Sequence, residues 1–530
     1  MAVCAIAPDL AKVEAYVPAR EQLDFIIEEL RAPKTQRMTA DQVEQLIDTE
    51  GRELMRRLLQ AHLDERSPGK VIEPVIDRNK QEHTHQREES REIKSIFGEV
   101  KLERQSYGGR KLKNLRPLDA ELNLPLKLYS HTVRRRIVVC IAKGSYESAI
   151  GTLAELNGLK IGKRQAEEVA ISAARDFDLF YEKQRAQTAR EVKATSGILV
   201  LQMDGKGIRM LLAYLREQTR QEAEQRTPRL DHRRSKGEKS HTKRMSTVAA
   251  VYTIAPFVRA PEDIVRELKP KDEPLPARPQ PEDKRVWASV EQGPETIVKQ
   301  MFEEAARRDP KHSKQWVAIV DGNKTQIKLL KAEAAKEGRE LVIILDFIHV
   351  LEYLWKAAWA LHAEGDPNAE VWVQERLVEI LLGNSSEVAA GIRRSATRRE
   401  LSAKQREPID SCAGYLINNR KLLRYDQYLA AGYPIATGVI EGACRYLVKD
   451  RMDLTGARWS LKGAEAVLRL RSLLASGDFD DYWEFHLQQE YQRNHADHYA
   501  GGQVPKPISP LEPKRKSSNL REVKCGGKAS

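Results

Sequence analysis

Three carboxylates in this chain stand in settings that would deliver them to one point. Asp204 closes the apolar run 197–203 and is followed by Gly205, Lys206 and Gly207. Asp321 closes the apolar run 316–320 and is followed by Gly322, Asn323 and Lys324. Glu441 lies in the block from Gly438 to Arg445, shortly after Gly432, Tyr433 and Pro434. A carboxylate at the end of a buried strand, with glycine next, is expected at the open carboxyl edge of a sheet. Two such residues and a helix-borne Glu are the oxygen-donor set that two-metal phosphoryl transfer requires, because hard divalent cations take oxygen ligands. A fourth carboxylate, Asp346, closes the apolar run 340–345 and has His349 one helical turn later. With the Asp204 strand central and the Asp321 strand beside it, Asp346 falls one strand further out. That geometry favours Asp321 as the second ligand and leaves Asp346 and His349 an auxiliary role in positioning substrate. A single strand-end Asp is more often a turn residue; three in this order carry the signal.

The elements that must hold these residues follow from the patterning. Over 186–346 it gives a strand reaching Asp204, strands over 247–254 and 285–290, a helix from Pro294, and the strand closed by Asp321. A helix over Lys324–Lys336 and the strand closed by Asp346 complete the series. That order predicts an α/β fold, an RNase H-like mixed sheet forming the first part of a catalytic core. An all-helical insertion is expected over 347–431, with Trp355, Trp359 and Trp372 on apolar faces, and the second part of the core, carrying Glu441, over 432–478. Residues 1–92 read as a charged helical region for docking or oligomerisation, with a capping box at Thr39 to Gln42. Residues 93–185 read as a hairpin about Phe97 and Gly98, then two helices joined at Asn157 and Gly158, a helix-turn-helix. Lys160, Lys163 and Arg164 would then stand at the amino end of its second helix, where groove contacts are made. An ordinary helical hairpin fits the same pattern. Residues 479–530 read as a polar, basic tail expected to be disordered.

Lys and Arg number 89 against 77 Asp and Glu, a net charge of +12, which favours a polyanionic partner, though basic enzymes share such a balance. The five cysteines (Cys4, Cys140, Cys412, Cys444, Cys525) form no Cys-x-x-Cys pair, which argues against a disulfide framework or zinc ribbon and for a reducing cytoplasm. The first residues lack a charged leader, and no stretch approaches the ~18 apolar residues of a membrane span. Arg445, Lys449, Arg451 and Arg458 crowd Glu441, and Arg445, four residues on, shares its helical face. Phosphate contact is the functional reading of that cluster; a helix-stabilising ion pair is the plain one. Trp459 is expected to pack beneath the same helix, with stacking on an unpaired base as the alternative. The arm from Arg216 to Arg244 holds ten basic residues and reads equally as a DNA-tracking arm or a solvated loop.

Together, Asp204 to Gly207, Val320-Asp321-Gly322, Asp346 with His349, and Gly438 to Glu441 resemble bacterial insertion-sequence transposases of the ISKra type, relatives of the Mutator-like DDE superfamily. The block from Arg451 and Met452 through 455–460 to Leu470 and Arg471 is similar to their signature after the catalytic Glu. The resemblance covers residues 93–474 and is most specific from Asp321 onwards. It implies a DDE transposase that cuts and joins DNA at the ends of an insertion sequence with two Mg²⁺ or Mn²⁺ ions. Asp204, Asp321 and Glu441 would be its catalytic and metal-binding triad, and Asp346 and His349 the superfamily's Cys/Asp-x-x-His element. Double-stranded DNA, a homo-oligomer assembled on it and the bacterial cytoplasm at the nucleoid are the implied partners and place. Many relatives carry a Cys pair in the region of Tyr107 to Leu118; this chain has none there, so zinc-dependent end recognition is not implied. Two alternatives remain: a degenerate copy that binds element DNA without cutting, and a cellular RNase H-fold nuclease.

Overall fold

A computed structural model of the chain describes residues 15–187, 197–225, 241–268, 277–363, 365–454 and 456–508. The middle of the basic arm (226–240), residues 269–276, Thr455 and the terminus from 509, with Cys4 and Cys525, lie outside the described residues. The chain divides into two compact units, one of residues 15–137, 150–161 and 484–508 and one of residues 138–149 and 162–483.

In the first unit, α1 (Val17–Arg31) is followed by the long α2 (Ala40–Arg66). The expected capping box opens α2: Thr39 Oγ1 accepts from Gln42 N at 3.3 Å, and Gln42 Oε1 accepts from Thr39 N at 3.0 Å. The hairpin of β1 (His85–Ser95) and β2 (Gly98–Gly108) turns between Ser95 and Gly98, as its sequence predicts. Its inward Ile93, Val100 and Leu102 close a core with Leu63 and Leu118. The expectation of a disordered segment from 479 is corrected up to residue 508. A helix spans Phe479–Asn494, Tyr499 is buried with Val75, Tyr107 and Leu115, and Arg134 Nη2 donates to Glu490 Oε1 at 2.8 Å. Mean polarity hides this, because a polar helix needs only a few buried aromatics, here Phe485 within this unit, to pack.

The second unit is built on a mixed five-stranded sheet. Its strands are β3 (Ile198–Arg209), β4 (Lys243–Ile254), β5 (Glu282–Ser289), β6 (Gln315–Val320) and β7 (Val342–Leu345), in the order β5-β4-β3-β6-β7. β5, β4 and β3 run antiparallel in turn, whereas β3, β6 and β7 are parallel. Residues 198–203 are buried throughout, so β3 shows no polar alternation, as a central strand covered on both faces should. α3 (Pro294–Arg308) packs Ile297, Val298, Met301 and Phe302 against the sheet and carries the buried Glu304, which meets Arg285 at 2.8 Å and Arg308 at 2.8 Å. α4 (Lys324–Lys336) links β6 to β7 and is capped by Asn323, which accepts from Thr325 N at 3.0 Å. After β7 comes the helical insertion: α5 (Phe347–Ala358), α6 (Pro367–Leu381), α7 (Ser385–Arg398) and α8 (Ala403–Asn418). α9 (Gly438–Ala443) and α10 (Leu461–Ser476) complete the unit.

Both sheet edges are closed by side chains. Along β5, Ser476 Oγ accepts from Val286 N (3.0 Å), Ser472 Oγ from Ala288 N (3.3 Å) and Glu465 Oε2 from Val290 N (2.9 Å). Alternate strand residues thus meet acceptors four and seven residues apart on one stripe of α10. Along β7, Tyr425 Oη donates to the Leu345 carbonyl at 2.8 Å. Each such bond removes an unpaired backbone group that would cost about 1–3 kcal/mol if buried alone. Among the described residues no helix is long and apolar enough to cross a membrane.

Candidate active site

The register of the three parallel strands lines up the acidic residues. Gln202 pairs with Ile319, and Ile319 pairs with Ile344. Asp204, Asp321 and Asp346 each lie two residues beyond that row, Asp321 and Asp346 directly after β6 and β7 and Asp204 within β3, on adjacent strands ~4.8 Å apart. The pleat repeats every two residues, so Asp204, still within β3, shares the face of Gln202. That face carries α9: Gln202 Oε1 accepts from Ile440 N at 3.1 Å, and its Nε2 donates to the Ala436 carbonyl at 3.3 Å. One detail departs from the expectation. β3 does not end at Asp204 but continues to Arg209 against β4, because β4 supplies partners as far as Lys243; only the pairing with β6 stops at Gln202.

Asp346 is fully buried and joins three elements. It caps α5, its Oδ2 accepting from His349 N at 3.2 Å and lying 2.9 Å from His349 Nδ1. Its Oδ1 accepts from Thr437 N at 2.9 Å, and Thr437 Oγ1 donates to Glu441 Oε1 at 3.3 Å. Asp346, His349 and Glu441 therefore offer one donor atom each within 4.8 Å of one another, the group of metal-ligand character found among the described residues. Asp204 and Asp321 are not in that group. Asp204 instead accepts from Gly205 N at 2.6 Å and from the Cys444 thiol at 3.3 Å. Asp321 Oδ1 accepts from Asn323 N at 2.8 Å, and its own carbonyl accepts from Tyr415 Oη at 2.9 Å. Gly322 takes φ +94°, and a Cβ there would stand 3.0 Å from the Tyr415 ring, so the turn after Asp321 requires glycine.

The charges at this edge act on one another. The hydrogen bond that the His349 ring makes to Asp346 raises the His349 pKa against the opposing effect of burial, with the charges of Asp346, Glu352 and Asp321 adding to the rise. Burial, then the charge and hydrogen bond of Asp204, push the Cys444 thiol far above its ordinary value, so it remains a protonated donor. Burial and the Asp321 charge do the same to the Tyr415 hydroxyl.

Of the cations expected to meet DNA, Arg445, Lys449 and Arg458 are exposed. Arg451 is corrected: it is 2% exposed, stacks over Tyr146 and Trp459, and donates from Nε to the Ile141 carbonyl at 3.0 Å. Burial pulls its pKa down to about 10, the mark of a guanidinium held in packing and not presented to solvent. Trp459 packs beneath it and donates to the Met452 carbonyl at 3.1 Å. Arg445 has an acidic neighbour on the following turn. After α9 the chain winds as a π-helix over Cys444–Lys449, and Arg445 lies 3.7 Å from Asp450. Lys160 is exposed in the first unit. Lys163 and Arg164 are exposed in the second, at the start of a helix over Lys163–Ala173, with Lys163 paired to Glu147 and Arg164 3.4 Å from Glu168.

Gln202, Thr437 and Cys444 were not singled out from the sequence. A lone amide two residues before Asp204 in an otherwise apolar run was a readable signal for Gln202. Thr437, just ahead of a helix start, was a weaker one, and Cys444 gave none.

No protein-family model matches the chain, and no curated protein does. Among solved structures it is similar to a Drosophila P element transposase strand transfer complex, at 11% identity and a TM-score of 0.22 over 67% of this chain and 80% of that one. A likeness so slight bears on neither fold nor function.

Proposed function

We propose that this chain is a metal-dependent DNA strand-cleaving and strand-transferring enzyme, a DDE transposase acting at the ends of an insertion sequence. One observation carries the reading: Asp204 lies just past the point where β3 stops pairing with β6, Asp321 and Asp346 follow directly on β6 and β7 in the same register, and Gln202 and Asp346 tie the segment that carries Glu441 to that edge. The order β5-β4-β3-β6-β7, antiparallel then parallel, supports an RNase H-like sheet beneath that site.

The residues suit divalent cations. Four carboxylates and an imidazole at one sheet edge are donors that Mg²⁺ or Mn²⁺ takes, and Glu441 and His349 already lie within ligand spacing of each other. On this reading Asp204, Asp321 and Glu441 hold two ions. Ions bound there would polarise the phosphodiester and offset charge on its attacking and leaving oxygens. The exposed Glu441 stands open to DNA, while the buried Asp346 keeps α9 and His349 in place. Arg445, Lys449 and Arg458 contact phosphates beside the scissile bond. Lys160, Lys163 and Arg164 belong to the proposed helix-turn-helix that reads duplex ends, in a homo-oligomer on DNA in the bacterial cytoplasm.

The test is single-turnover cleavage of end-labelled duplexes carrying the DNA that flanks this gene, across a Mg²⁺ and Mn²⁺ titration. Asp204→Asn, Asp321→Asn and Glu441→Gln should each lose cleavage and strand transfer while keeping duplex binding. Cleavage by Asp321→Asn at the wild-type rate, beside an inert Asp346→Asn, would transfer the second ligand role to Asp346. Cleavage that survives chelation of all metal would refute the reading.

A further inference from the structure

We infer that Asp346 is a positioning residue that fixes both the tautomer of His349 and the placement of Glu441, and is not itself a ligand or a contact to DNA. Distance alone groups Asp346 with His349 and Glu441 as potential metal donors. Its surroundings point elsewhere. It has no exposed surface, and both of its oxygens are engaged by donors from two different elements. Oδ2 holds the His349 backbone N–H and faces the ring Nδ1 at 2.9 Å; Oδ1 holds the Thr437 N–H at 2.9 Å. A carboxylate that accepts from two backbone amides can only accept from the ring as well, so Nδ1 must carry the proton. The neutral imidazole then presents the lone pair of Nε2 to its surroundings, the form that ligates a metal or accepts a proton. On the other oxygen, Thr437 passes the constraint on through its hydroxyl to Glu441 Oε1 at 3.3 Å. One buried carboxylate thereby orients a nitrogen donor three residues away and an oxygen donor 95 residues away, between positions 346 and 441. Carboxylates that orient ligating imidazoles from behind commonly tune metal affinity without touching the ion.

The consequence for metal rests on the function proposed above; the tautomer does not, and the experiment keeps the two apart. In protein labelled with ¹⁵N in histidine, without metal or DNA and at a pH above the imidazole's titration, the His349 ring should show the Nδ1-protonated tautomer. The signal is assigned by its loss in His349→Gln. Mn²⁺ alone is then titrated calorimetrically. Asn at position 346 keeps a helix cap but supplies one acceptor where two are used, so Asp346→Asn should bind Mn²⁺ roughly 10–100-fold more weakly than wild type. Thr437→Val should weaken Mn²⁺ binding while leaving the tautomer unchanged, and serves if Asp346→Asn does not fold. An Nε2-protonated or mixed tautomer in the wild type would overturn the inference. So would unaltered Mn²⁺ affinity in Asp346→Asn, or a loss as complete as in Glu441→Gln, which would make Asp346 a ligand. The expected tautomer in a wild type that binds no Mn²⁺ would uphold the positioning role and sink the metal-dependent function.

Discussion

Replacing Gln202 by Leu tests how the Glu441 helix is fastened to the sheet. Gln202 is 1% exposed, in the central strand, and makes three hydrogen bonds: to Tyr252 Oη at 3.2 Å, to the Ala436 carbonyl at 3.3 Å and from Ile440 N at 3.1 Å. Ile440 N is one of the amino-terminal N–H groups that no residue within α9 can satisfy, and Thr437, at the N-cap, makes no side-chain cap bond of its own. The Gln202 amide therefore stands in as the cap. Leucine fills nearly the same volume, so no large cavity term is expected, but the Ile440 N–H and the Ala436 carbonyl lose their partner. A buried backbone group stranded in this way costs about 1–3 kcal/mol, which lowers the ratio of docked to undocked α9 roughly 5–150-fold. Urea denaturation should show the stability loss directly. Cleavage should fall with it because Glu441 leaves the edge, while duplex binding by the exposed cations persists. Gln202→Glu should behave like Gln202→Leu at the Ala436 carbonyl, since a carboxylate cannot donate there. Stability within about 0.5 kcal/mol of wild type together with unchanged cleavage would refute the docking role.

Removing Glu304 by Glu304→Ala leaves Arg285 and Arg308 buried without their partner and should cost about 3–5 kcal/mol, read by chemical denaturation. Burial pushes the Glu304 carboxyl up, but the charges of Arg285, Arg308 and Arg307 more than reverse it and hold it well below the ordinary 4.5. A depressed carboxyl stabilises the fold fully above its unfolded value and less as pH falls. Wild-type stability should therefore decline below about pH 4.5 more steeply than that of Glu304→Gln, and parallel curves would count against the network. Arg451→Ala should lower stability and leave the salt slope of DNA binding unchanged. By contrast, Arg445→Ala, Lys449→Ala and Arg458→Ala should each reduce that slope by about 1, and the reverse pattern would place Arg451 on the DNA. Gly322→Ala forces a positive φ on alanine beside Tyr415 and should both destabilise the protein and slow cleavage; a neutral effect on stability would show that the turn after Asp321 can relax.

Local signals carried as far as local physics reaches. The helix predicted over Lys324–Lys336 forms with those bounds, because its cap, Asn323, and its end are written within a few residues. The strands were legible as apolar runs, and so was the neighbouring of Asp204, Asp321 and Asp346, because parallel strands in register put residues that follow equivalent runs at one edge. Where a charge density or a period had to stand for three dimensions, it failed. Arg451 sits in a basic stretch yet is buried, since only packing reveals that Tyr146 and Trp459 enclose it. The π-helix after α9 gave no local signal. Order in residues 479–508 likewise depends on where a few aromatics dock. The union of Asp346 with Thr437, 91 residues apart across the whole helical insertion, was decided by the tertiary structure alone. A buried carboxylate takes its partners from whatever chain is folded against it, and nothing in the local sequence of Asp346 names Thr437.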